Sequence, residues 1–171
     1  MGELADRIDT MRVRASTLGD GITAELRDGS ELSISFREGY YRLFDYEADM
    51  ERQLEALAAH LWVARGREVR RIFTDVTDEE FVPGDPPSDE RDLAWQAERE
   101  ELVATGSSSD GRITVRVVGF RDWQASIRPG TLRALDEHRF AEAVAEAAGE
   151  LIRDLFDKLT ALSSKYYGDQ E

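Results

Sequence analysis

The stretches SDGRITVRVVG, residues 109–119, and GDGITAELRDG, residues 19–29, both set Asp-Gly ahead of Ile-Thr, and an alternating apolar run follows in each. Shifting the first half of the chain by 91 residues aligns Ile22 with Ile113, Thr23 with Thr114, Ser35 with Ser126, Arg37 with Arg128, Gly39 with Gly130, Arg42 with Arg133 and Asp45 with Asp136. That is seven identities in the 24 residues 22–45. A shift of 90 then superimposes Leu54, Leu57, Ala58 and Leu61 on Val144, Ala147, Ala148 and Leu151, so two apolar stripes fall in phase after one small deletion. Chance identities do not usually keep strand alternation and helix phase together. We read one unit written twice.

Each unit has the pattern of a three-stranded meander followed by a helix. In the first, residues 11–17, 22–27 and 31–37 alternate in side-chain character, and Asp28-Gly29 between two such runs signals a hairpin. A helix is expected from Asp45 to Ile72, bent near Gly66, with Leu54, Leu57, Ala58 and Leu61 at i, i+3, i+4 and i+7. In the second, a short helix over 90–103 precedes strands at 102–106, 112–118 and 122–128. A long helix over 137–164 carries Phe140, Val144, Ala147, Leu151, Leu155 and Leu159 on one stripe, and the polar end SSKYYGDQE is expected to fray.

Between the units lies TDVTDEEFVPGDPPSDE, residues 74–90, which holds three of the four prolines and no Lys or Arg. Proline removes backbone donors and stops helices, so this is expected to be an exposed acidic linker. It lacks the Asp spacing of a calcium loop. The expected organisation is therefore an N-terminal repeat over 1–73, a linker over 74–90 and a C-terminal repeat over 91–171. A lone meander with one helix leaves strand edges exposed. Two copies can pair edge to edge or pack helix on sheet across a pseudo-twofold, as a homodimer would. The fold class expected is α+β, as an intrachain pseudo-dimer.

A length of 171 residues allows a real core without staples, and the absence of cysteine excludes disulfides, thiolate metal sites and cysteine nucleophiles. The N-terminus has no apolar signal region, and no run has the length of a membrane span; a cytoplasmic location away from membranes is expected. The net charge of −14 argues against simple nucleic-acid binding, because DNA affinity comes largely from cations that release phosphate counterions. Of the 22 basic residues only Lys158 and Lys165 are Lys.

The second half resembles the YbaB/EbfC family of small bacterial nucleoid-associated proteins. The residues that carry the resemblance are EELVATGSSSDGRITVRVVG (100–119), ASIRPGTL (125–132) and the Ala-rich AEAVAEAAGELI (141–152). Ile127, Pro129 and Leu132 match the family's I-x-P-x-x-L segment, and the likeness covers residues 90–164. The first half looks like a degenerate copy: Glu38 stands in place of the proline, and its leading helix, residues 3–9, is short. The resemblance implies an αβββα unit, dimeric assembly and no catalysis or cofactor. It implies DNA binding with little sequence preference. In relatives associated with type VII secretion it implies an adaptor or chaperone role instead. Duplication, acidity and scarcity of Lys set this chain apart from the DNA-binding members, so a protein partner is the first expectation and DNA the alternative. Chains of this kind can also associate further into homo-oligomers.

The candidate residues follow. Arg65, Arg67, Arg70 and Arg71 form the one basic cluster, either favourable charge near a helix C-terminus or a phosphate contact. Tyr40, Tyr41, Phe44 and Tyr46 form an aromatic run, either core or a protein-binding patch. Nothing in the sequence places His60 and His138 together with a carboxylate at ligand spacing, so no metal site is expected. Ser107, Ser108 and Ser109 lack a nucleophile elbow. TGSSSDG leads into a strand rather than a helix N-terminus and lacks the Gly-Lys ending of a phosphate loop. No enzyme signature is found.

Overall fold

The computed structural model describes residues 2–78 and 89–168. A short helix α1 (Glu3–Asp9) leads into β1 (Arg12–Ser16), β2 (Ile22–Arg27) and β3 (Glu31–Phe36), and then α2 (Glu47–Thr77). The second half repeats this order with α3 (Glu90–Glu101), β4 (Val103–Ser107), β5 (Ile113–Val118) and β6 (Asp122–Ile127), a single turn α4 (Thr131–Ala134), and α5 (Glu137–Tyr167). Every strand of the second half starts 91 residues after its counterpart, and the long helix starts 90 after, so the offset in the sequence is an offset of elements.

The chain is thus α+β, with two separate three-stranded antiparallel sheets in the orders β1-β2-β3 and β4-β5-β6. Register follows the side-chain alternation. Strand β2 turns Ile22, Ala24 and Leu26 inward, and they pair with Phe36, Ile34 and Leu32 of β3. A one-residue slip would put those three buried side chains in water, which fixes the pairing. Asp28 and Gly29 both take positive φ at the hairpin turn, as that dipeptide favours.

The long helices join the halves. Helix α2 lies on β1 and β2 of its own sheet and reaches β6 of the other; α5 lies on β4 and β5 and reaches β3. The central core is therefore shared: Ile22, Met50 and Leu54 from the first half pack with Ile113, Phe140 and Val144 from the second. Phe140 is fully buried, and burial of a side chain of that size is worth about 2–3 kcal/mol. Two smaller clusters flank the centre. One joins Met11, Val13 and Leu26 to Ile72, and the other joins Ala104 and Val117 to Leu151 and Leu155.

Three expectations need correction. Helix α2 runs unbroken through Gly66, because Leu61, Val69, Ile72 and Val76 keep the apolar stripe going and dock on the β1–β2 cluster. It also continues to Thr77, so residues 74–77 of the expected linker are helical; residues 79–88 lie outside the described part of the chain. The C-terminal end does not fray at residue 164. Helix α5 extends to Tyr167, held to α3 by the Tyr167 hydroxyl donating to Asp92 and by Lys165 Nζ on Glu98 at 2.6 Å.

Candidate functional site

The loops 17–21 and 37–46 meet at one end of the first sheet. Thr17 closes the first loop by hydrogen bonds in both directions with Ile22, each 2.9 Å. Gly19 then takes positive φ, and its carbonyl accepts from the Arg37 guanidinium at 2.6 Å. The same guanidinium lies over the Tyr40 ring, 5.2 Å from its centroid. That ring rests on Gly21, where a Cβ would collide with it, and Phe44 meets it edge-on at 5.2 Å. Tyr40 therefore binds the two loops together, and Phe44 backs its ring.

The aromatic run divides by this geometry. Tyr41 is core: its hydroxyl donates to the Leu135 carbonyl at 2.8 Å and its ring packs on Phe36 and Phe140. Burial, aided by the neighbouring carboxylates of Asp136, Glu137 and Glu47, pushes its pKa up to about 12. Tyr46 alone points out, 71% exposed. Its companions are residues that the sequence reading passed over: Leu18, 95% exposed, on the first loop, and Leu43, 70% exposed, on the second. At the matching positions of the second half stand Ser109 and Ala134, 91 residues on, and Asp136, which precedes α5 as Tyr46 precedes α2. The comparison of the two copies is the signal that would have found them.

The basic cluster does not act as one. At 100° per residue, Arg65 projects from the side of α2 opposite to Arg67, Arg70 and Arg71. Arg65 folds inward over Trp62 and Phe156, at 5.5 and 4.9 Å from the ring centroids, and burial pushes its pKa down. Arg71 is engaged by Glu68 at 3.1 Å and Asp75 at 3.0 Å, and its hydrogen bonds to Glu68 raise its pKa. Arg67 and Arg70 remain exposed.

The other candidates have structural partners. His138 pairs with Glu142 at 2.9 Å on the surface, and His60 is exposed. Ser107 Oγ and Thr114 Oγ1 share a hydrogen bond of 3.1 Å, and Ser108 donates to Asp110 at 2.6 Å. That hydroxyl and the Arg112 N–H hold the Asp110 carboxyl below its ordinary value. The TGSSSDG turn is thus closed by its own side chains and tied to α5 by the Ser109 N–H, which donates to Glu146. Among the described residues no group of His, Asp and Glu could hold a metal ion, and no helix is long and apolar enough to cross a membrane.

The sheet edges differ in a way the sequence did not announce. Helix α2 carries Glu47, Glu51 and Glu55 at successive i, i+4 positions, and they accept from the amides of Gly130, just past β6, and of Ile127 and Ala125 on β6, at 2.8, 2.7 and 3.0 Å. At the other edge of that sheet Asp154 accepts from Thr105 at 3.0 Å and Lys158 donates to the Val103 carbonyl at 2.8 Å. Among the described residues the first sheet has no such clamps. The positions equivalent to Glu51, Glu55 and Asp154 are Ala141, Ala145 and Ala64.

No protein-family model, curated protein or solved structure matches the chain.

Proposed function

We propose that the chain is a non-enzymatic adaptor, built as a YbaB/EbfC-like intrachain pseudo-dimer, that binds another protein through the loop end of its N-terminal half. The observation that carries this reading is the exposure of Leu18, Leu43 and Tyr46 on two loops tied together by Tyr40, where the second half carries Ser, Ala and Asp. Large apolar side chains presented by a fixed scaffold are the chemistry of a protein interface, and Tyr is enriched at its energetic centre. An adaptor or chaperone-like role fits the acidic surface better than DNA packing does. The alternative, DNA binding with little sequence preference, would rest on Arg67 and Arg70 after Arg65 and Arg71 are discounted.

Affinity capture with the wild-type chain and with a Leu18→Ser, Leu43→Ser, Tyr46→Ser variant separates the two readings. The adaptor reading expects a partner retained at high salt by the wild type and lost by the variant. A gel shift with random duplex DNA that disappears between about 50 and 200 mM salt and needs Arg67 and Arg70 would replace it with the nucleic-acid reading.

A further inference from the structure

Helices α2 and α5 dock on the sheets rather than closely on each other, and a cavity of about 100 Å³ remains between them. Both halves line it: Ala24 and Ile34 from the first sheet, Val115 and Trp123 from the second, with Leu57 and Leu151 from the two helices. Among the described residues its one charged lining residue is Arg65. Half-buried Ala58, Leu61, Ala148 and Ile152 leave the space reachable from the surface.

Arg65 is the anomaly. The chain has 36 acidic residues, yet among the described residues none pairs with Arg65, and its buried Nε has no acceptor. A buried guanidinium donor left without an acceptor is costly. Trp62 and Phe156 hold the planar group over the apolar space by cation–π contact, so the position is imposed rather than idle. A guanidinium fork matches a carboxylate in a bidentate way. One cation in the lining balances one negative charge, and a net charge of −14 disfavours multiply charged anions. An apolar cavity of about 150 Å³ takes up benzene; the smaller space here holds part of an alkyl tail, and the rest lies along the groove where it opens to the surface.

We propose that the groove between α2 and α5 binds a small amphiphilic monocarboxylate, with its tail between the two sheets and its carboxylate on Arg65. The test is titration of the full chain with octanoate, followed by tryptophan fluorescence, since Trp62 and Trp123 line the cavity. Octanol, octylamine and acetate serve as comparison ligands. The proposal expects saturable binding of octanoate, weaker binding of octanol, and none of octylamine or acetate. Arg65→Met should weaken octanoate more than about tenfold, as loss of a charged hydrogen bond implies, and leave octanol unchanged. Ala148→Phe, which fills the groove without touching the charge, should abolish both. Absence of saturable octanoate binding, equal affinity for octanoate and octylamine, or full octanoate affinity in Ala148→Phe would overturn it. The ligand comparison and Ala148→Phe decide the matter even if Arg65→Met fails to fold. Neither outcome bears on the loop face of the adaptor reading, whose residues lie outside the cavity.

Discussion

The two halves share one chain path but close their sheets by different means. In the C-terminal half, α5 comes so near β4 that only glycine fits at position 106, where a Cβ would strike the Ala147 carbonyl and the Leu151 amide. The counterpart of Gly106 in β1 is Ala15, whose Cβ is accommodated beneath α2. The close approach brings Asp154 and Lys158 onto the β4 backbone, and the acidic ladder of α2 closes β6. Among the described residues neither edge of the N-terminal sheet has such a clamp, and alanines stand at the positions equivalent to Glu51, Glu55 and Asp154. The turns diverge as well. Where the first half has Asp28-Gly29, the second has Gly119-Phe120, and Phe120 takes a positive φ that an aromatic residue rarely adopts. Its ring is buried against Trp62 and under Arg99, which offsets the strain. The lesson is a division of labour: one half is sealed, and the other is left with apolar loops and open edges.

The largest effect should come from forcing the two helix–sheet distances to be alike. Gly106→Val places branched atoms in the α5 backbone, and we expect a loss of about 3 kcal/mol or more, beyond the usual range for overpacking because backbone must move. Ala15→Val, in the looser half, should cost about 1 kcal/mol or less. Urea unfolding of the two variants measures the gap. Equal losses would mean that the close approach of α5 to β4 is not a real difference between the halves.

Removing the clamps should cost less. Glu51→Ala leaves the part-buried Ile127 amide without an acceptor, and a loss of about 1–2 kcal/mol is expected in urea; Ala141→Ser, at the equivalent site, should change little. The same experiment carried down in pH reads the clamps by their protons. Asp154 is held below its ordinary value of 3.8, chiefly by the Thr105 N–H and also by Lys158, and Glu47 is held below 4.5 by backbone N–H groups. A carboxyl with a lowered folded-state pKa contributes stability that is present above its unfolded pKa and is lost as pH falls through the folded value. Wild-type stability should therefore drop below about pH 4, and Asp154→Asn with Glu47→Gln should flatten that limb. An unchanged slope would remove these hydrogen bonds from the account.

How far this was legible in the sequence varies with the physics. The strands and the hairpin at Asp28-Gly29 were readable, because alternation and turn chemistry are local. So was the offset, because it kept both periods in phase. The bend expected in α2 at Gly66 is absent, because that residue's cost of about 1 kcal/mol in a helix is outweighed by Ile72 docking on Met11 and Val13. The ladder Glu47, Glu51, Glu55 was invisible, since acids at i and i+4 look the same whether they face water or an unpaired strand. Arg65 was grouped with its neighbours by proximity in sequence, whereas helical geometry separates it from them. Leu18 and Leu43 belong to no pattern, and only the small residues at the equivalent positions, Ser109 and Ala134, make them informative.

The smallest effect on stability should come from the open edge itself. In β1 the hydrogen bonds between Thr17 and Ile22 fix the alternation, so the backbone groups of Arg12, Arg14 and Ser16 face away from β2. Both arginines are exposed. Their counterparts in the clamped strand β4 are Val103 and Thr105, which carry no charge. Charge on an unclamped edge opposes pairing with another strand, and an edge already satisfied by a helix has no need of it. Replacing both, Arg12→Val with Arg14→Thr, transfers the second half's side chains to the first. Monomer stability in urea should shift by no more than about 0.5 kcal/mol, as for ordinary surface changes. The consequence should show instead as concentration-dependent self-association in sedimentation. If the doubly substituted chain has the same oligomeric state as the wild type at every concentration, the arginines do not guard the edge. If it associates, the two halves solve one problem in two ways: carboxylates from a helix on one sheet, and repulsion on the other.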